Sequence, residues 1–182
     1  MSNKNLFPSK ALDRCSEKKP FYRVHKEVLA ACYEVLGNNQ HSTGDFEAAR
    51  DSKQHTLDIR LKLFGEGHTD TANSYHNLGT IQHSLGNCNA ALDSFQHALD
   101  IRLKLFGEEH AVTANCYHSL GITQHSLRDF NAALDSKQHA LDIRLKLFGG
   151  DHACTADSFL SLITTQLSLT NAALDSFFTA HF

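Results

Sequence analysis

Residues 59–79 read IRLKLFGEGHTDTANSYHNLG, and residues 101–121 read IRLKLFGEEHAVTANCYHSLG. Taken as full segments, 59–100 and 101–142 agree at 31 of 42 positions. A third copy opens at Ile143 with IRLKLFGGDH. A weaker one lies upstream, where Tyr33, Leu36, Gly37, Gln40 and His41 match Tyr75, Leu78, Gly79, Gln82 and His83 at the same 42-residue offset. A fixed period of this length marks an array of stacked units, each a single supersecondary motif. The last unit departs from it: SLTNAALDSF stands where SLRDFNAALDSK stood, two residues shorter.

Each unit reads as two helices. In the first, Ala72, Tyr75, Leu78, Gly79, Gln82 and Leu85 recur at helical spacing and share one face. Glycine in mid-helix costs about 1 kcal/mol relative to alanine, so Gly79 predicts a close helix crossing. Leu85-Gly86-Asn87 ends that helix. In the second, Ala91, Phe95, Ala98, Leu99, Ile101, Leu105 and Phe106 form a stripe wide enough to meet two neighbours. Asp100 lies four residues before Lys104, the favourable order for an exposed ion pair. Gly107 predicts a left-handed C-cap and opens the linker Gly107-Glu108-Glu109-His110. The hairpins are placed at about 27–64, 69–106, 111–148 and 153–181, behind a basic, flexible leader over 1–26. One hairpin cannot bury its own apolar faces, so stability is a sum over units and interfaces.

Composition agrees and narrows the function. Apolar residues make up 41% of the 182, enough for a buried core. The two prolines, Pro8 and Pro20, lie near the N-terminus, which favours helix over a turn-rich sandwich. No apolar run reaches membrane-spanning length, and MSNKNLFPSK lacks the apolar core of a secretory signal. Five cysteines without a signal read as reduced thiols in a cytoplasmic protein. Residues 1–26 carry a balance of +5 and residues 27–182 one of −8. An acidic body disfavours nucleic acid, whose phosphates need clustered Lys and Arg.

Tyr75, Leu78 and Gly79, then Gly86, Ala91, Phe95 and Ala98, resemble the large and small contact positions of the tetratricopeptide repeat. The stretched period and the Gly-x-x-His linker are similar to the repeats of kinesin light chains and nephrocystin-type proteins. The resemblance covers residues 27–182. It implies an all-α, right-handed superhelical solenoid of about four hairpins whose first helices line a concave surface, and a protein-interaction scaffold or adaptor. The sequence also departs from the family. Leu61, Leu103 and Leu145 replace the proline that often ends the second helix, and Gly86 becomes Arg128 and then Thr170.

The stripe of the first helix turned away from Tyr75 and Leu78 carries Asn73, His76, Thr80 and His83. The next unit repeats it as Asn115, His118, Ile122 and His125. Stacked, these eight residues make a groove suited to an extended peptide or a partner helix. Residues 69–85, 111–127 and 153–169 hold no Lys, so a carboxylate-terminated ligand would find no fixed positive charge and no chaperone-tail binding is expected. Imidazoles on this face predict affinity that changes between pH 7.5 and 5.5.

Eleven of the thirteen histidines follow the repeat. His76 and His83 stand roughly 10 Å apart along one helix, too far to share a metal ion. No metal, cofactor or catalytic site is expected: HExxH, CxxC and Gly-rich phosphate loops are absent, and the Cys32/Cys116 position is Ser in other units. The linker histidines His68, His110 and His152 are expected to bond helix ends. An alternative role is structural, with self-association or end-to-end stacking through Phe177, Phe178 and Phe182. Leu61, Leu103 and Leu145 either join that surface or pack on the preceding helix.

Overall fold

The periodic pattern folds into seven helices in a computed structural model that describes residues 20–181. They are α1 (Pro20–Ser42), α2 (Phe46–Phe64), α3 (Thr69–Ser84), α4 (Cys88–Phe106), α5 (Ala111–Ser126), α6 (Phe130–Phe148) and α7 (Ala153–His181). Among the described residues there is no strand. Three hairpins, α1–α2, α3–α4 and α5–α6, stack in order, and α7 packs on the last. The chain is an all-α repeat solenoid. The first helix starts at Pro20, so the part of the leader over 20–26 is helical; the rest lies outside the described residues.

The helix ends are built by recurring chemistry. His68, His110 and His152 each accept on Nδ1 the N–H of their helix's second residue, Asp70, Val112 or Cys154, at 3.1, 3.2 and 3.2 Å. Each ring stacks on the phenylalanine that ends the preceding helix, Phe64, Phe106 or Phe148. This is the helix-end role expected of the linker histidines. Gly65, Gly107 and Gly149 follow those phenylalanines at φ near +80°. Their ψ is extended, so they leave the helix by an abrupt glycine-favoured turn other than the expected left-handed α cap.

Inside each hairpin a missing side chain sets the approach. A Cβ on Gly79 would stand 2.9 Å from the Phe95 ring, the close crossing expected from the sequence. Lys53 and Lys137 occupy the Phe95 position in the flanking hairpins and press against Gly37 and Gly121. Ala91, Phe95, Ala98 and Leu99 join Cys116 and Leu120 of the next hairpin in one apolar cluster, with Leu103 packed against it. The stripe stops there: Leu105 and Phe106, expected inside, are exposed beyond the last helix contact. Asp100 is bonded by Gln96 Nε2 at 2.8 Å, a pairing that stands in for the expected Lys104 partner.

The fourth unit, expected as a hairpin over 153–181, is one 29-residue helix. Three local changes account for it. The turn needs a positive φ, held by Gly44, Gly86 and Arg128; its counterpart is the β-branched Thr170, for which that conformation is costly. The two missing residues correspond to Asp129, which caps α6, and Phe130, its first residue. Ile163 stands where Gly79 and Gly121 let a second helix approach.

Candidate functional site

The stripe of eight residues lies on the first helices, but it is less free than the sequence suggests. Thr80, Asn115 and Ile122 are exposed, whereas Asn73, His76, His83, His118 and His125 are half-buried. The histidines reach sideways to the next first helix. His41, His76, His83 and His125 place Nε2 3.4, 3.2, 3.1 and 3.1 Å from Ser84, Ser119, Ser126 and Ser168. Glu34 accepts from Asn77 Nδ2 in the same relation. Every one of these pairs is 43 residues apart, one repeat plus one residue. The imidazoles of His41, His76, His83 and His125 are rungs between units.

Asn73 and Asn115 serve a second ladder, which sequence reasoning missed. Arg102 on α4 is 6% exposed; its guanidinium donates to Asn73 Oδ1, the Val112 carbonyl and Cys116 Sγ. Arg144 on α6 repeats this with Asn115 Oδ1, the Cys154 carbonyl and Ser158 Oγ. Arg60 differs, because Ala31 fills the Asn73 position: its guanidinium reaches Glu34 instead. Buried guanidinium groups need partners for their donors, and only Arg60 has a carboxylate among them. Lys137 adds a fourth cation, donating from Nζ to the Ser161 carbonyl and Thr165 Oγ1. The fixed positive charge near this face comes from second helices and lies one side chain below the surface. The available signal was the invariant offset of Arg60, Arg102 and Arg144, which surface-weighted patterning discounts.

These cations and burial govern the histidines. Burial, and then Arg102, lower His76 to about 4. Burial, then Arg144 and Lys137, push His118 down against the opposing Asp157, and its Nδ1 is buried without a hydrogen-bond partner. His125 is lowered by burial and then by Lys137. His76 therefore stays neutral across the window in which the pH response was expected. Burial also raises the Cys116 thiol and lowers Lys53 and Lys137.

Between α3 and α5 the stripe opens into a depression of about 130 Å³ lined by Thr80, His83, Ser84, Phe95, Ser119, Ile122 and Thr123. Three of the expected residues, Thr80, His83 and Ile122, converge there, with the Phe95 ring among the lining. A larger hollow of about 350 Å³ lies under the first linker, lined by Glu66, Tyr75, His97, Asp100 and Lys104 among others. It recurs one repeat on at about 140 Å³, beside Tyr117 and His139. Tyr75 stacks on His97 at 4.9 Å and Tyr117 on His139 at 5.1 Å. Among the described residues no group of His, Cys, Asp and Glu could hold a metal ion, and no helix is long and apolar enough to cross a membrane. Cys32, Cys88, Cys116 and Cys154 form no disulfide; Cys15 lies outside the described residues.

Comparisons with known proteins follow this geometry. No curated protein matches the chain. BtubC (BKLC) of P. vanneervenii superposes with a TM-score of 0.75 at 22% identity, covering 88% of this chain and 66% of that one. A kinesin light chain of Podosopora anserina with nearly identical TPR-like repeats gives 0.69 at 17% identity over 74% of this chain and 64% of its own. The chain thus spans just under two thirds of those two structures. The first tetratricopeptide domain of Spaghetti (RPAP3), bound to the HSP90 peptide SRMEEVD, gives 0.57 at 13% identity over 78% of this chain and 94% of that one. At these identities the likeness is one of fold. The tetratricopeptide repeat model matches residues 27–104 and 70–146, two overlapping windows that span most of the described hairpins, and the chain belongs to the tetratricopeptide repeat family.

Proposed function

We propose that this chain is a non-enzymatic protein-interaction module that receives a peptide or partner helix on the face of its first helices. The observation that carries the reading is the depression beside Phe95 and Ile122, which sits on the stripe expected from the sequence and is edged by Thr80, His83, Ser84 and Ser119. An apolar anchor side chain fits against Phe95 and Ile122, while the surrounding hydroxyls and imidazole bond the ligand backbone. A tetratricopeptide domain of like fold holds a peptide, which supports the class of ligand and leaves its sequence open. Asn73, His76, His83, Asn115 and His125 shape this face by holding units together. Thr80 and Ile122 are the residues left to touch a ligand, and His83 borders the same depression while bonded to Ser126.

The test is selection of binders from a displayed library of random peptides, followed by titration of the enriched peptides against variants. Ile122→Asp is expected to weaken them about tenfold or more without changing helicity, since its side chain is 38% exposed. Peptides that bind Ile122→Asp and His83→Ala as tightly as the parent would remove the assignment.

A further inference from the structure

We propose that the solenoid adds a second copy of itself head to tail, with the outer face of α1 from one molecule seated on the outer face of α7 from another. The reading is independent of the peptide site, because it uses faces at the two ends of the stack.

The junctions inside the molecule supply the rule. First helices meet through pairs separated by 43 residues: Glu34–Asn77, His41–Ser84, His76–Ser119, His83–Ser126 and His125–Ser168. Each pair is polar. Continued by one more unit, the rule sets Leu160 of α7 against the position that Val35 holds on α1, and Leu167 against that of Ser42. Leu160 replaces His76 and His118, and Val35 replaces Asn77 and Ser119. Both members of the virtual pair have thus changed from polar to apolar. Leu160 is 63% exposed and Val35 is 59% exposed.

The surroundings agree. Phe21, Val24, Val28 and Val35 follow one another at helical spacing along α1 and are all exposed, Phe21 at 84%. Phe159, Ile163 and Leu167 extend the exposed apolar surface of α7. The pairing rule sets the orientation, because Leu160 meets Val35 only when α7 of one molecule faces α1 of the next. A heterologous contact of this kind does not close on itself, so it propagates. The contact relies on α1 and α7, and not on the phenylalanines of the C-terminal turn; the Phe178 side chain and Phe182 lie outside the described residues.

Sedimentation velocity of the full chain tests this, under reducing conditions because Cys32 and Cys154 are exposed. The parent is expected to grow in mass continuously with concentration through the micromolar range. Val35→Asp and Leu160→Asp should each remain monomeric. Mixed together they should form a dimer and nothing larger, because each variant retains the face the other lacks. Val35→Ser and Leu160→Ser serve as milder versions if either acidic variant loses helicity. A parent that stays monomeric, a Val35 variant that grows like the parent, or a mixture without dimer would each overturn the proposal.

Discussion

Gly37, Gly79 and Gly121 hold the same place in three hairpins, yet their neighbours predict different costs for a methyl group. At Gly37 a Cβ would lie 3.1 Å from the Lys53 side chain, whose methylenes can shift. At Gly79 it would lie 2.9 Å from the buried Phe95 ring. At Gly121 it would lie 2.6 Å from Lys137 Cγ and 3.1 Å from the Ala133 carbonyl, which is backbone. Alanine gains about 1 kcal/mol of helix propensity at each, set against overpacking of about 1–3 kcal/mol. Urea midpoints should therefore rank Gly37→Ala near the parent, Gly79→Ala lower and Gly121→Ala lowest. His76 gives a second residue-scale expectation. Its folded value, about 4, lies below the ordinary 6.5, so the unfolded chain binds the proton more readily. Its contribution is complete above pH 6.5 and is lost as pH falls toward 4, with a slope of about 1 kcal/mol per pH unit. Stability measured at pH 7 and 5 should fall less for His76→Gln than for the parent. These residues also show what a sequence discloses. The Gly79–Phe95 crossing was legible because a mid-helix glycine has few other uses. The depressed histidine was not, because its causes are burial between packed helices and then an arginine on another helix.

At the scale of elements, α7 is the informative one. Its first half is held by Arg144, which ties Asn115 of α5 and the Cys154 carbonyl and Ser158 of α7 to α6. Its second half buries little: Leu174 and Phe177 are exposed. Hydrogen exchange should accordingly be fastest over 171–181, slower over 153–168 and slowest in α3 and α5. Arg144→Met removes the donors while keeping an apolar stem, and leaves Asn115 and Ser158 to find water. Exchange over 153–168 is expected to rise severalfold in that variant, with α1–α4 unchanged; equal protection in both proteins would show that the guanidinium does not hold α7. The missing second helix was partly legible. The two-residue deletion and Thr170 were visible, but repeat logic read a turn through them. A turn needs a positive φ and a capped start, and loss of both leaves continuous helix as the cheaper path.

For the whole molecule, stability should follow the number of stacked units. Duplicating residues 101–142 in frame inserts one more hairpin whose junction chemistry is already present on both sides. Its Arg102 copy meets the original Asn115, its Asn115 copy meets Arg144, and its His125 copy meets a serine 43 residues on. Urea unfolding of the lengthened chain should show a higher midpoint and a steeper slope, because more surface is exposed on unfolding. An unchanged slope would mean that units unfold separately. The repeat was legible at this scale from its period, and the family from contact residues such as Tyr75, Gly79 and Phe95; the fourth hairpin was not, since that unit is a single helix. The proposed ligand face was legible only as a stripe. Which of its members are spent on holding neighbours depends on side chains that cross from helix to helix, and a one-dimensional pattern does not record those crossings.

Segments 59–100 and 101–142 differ at only 11 positions, so the molecule contains its own decoys. A hairpin docked one repeat out of place would find the same arginine, the same asparagine and the same imidazole rungs waiting for it. Correct register is distinguished by few marks: Phe95 rather than Lys137 against the glycine, and Ile81 rather than Thr123 on the facing helix. Identity that makes the units interchangeable in evolution thus makes them confusable in folding, and those odd side chains act as the address labels.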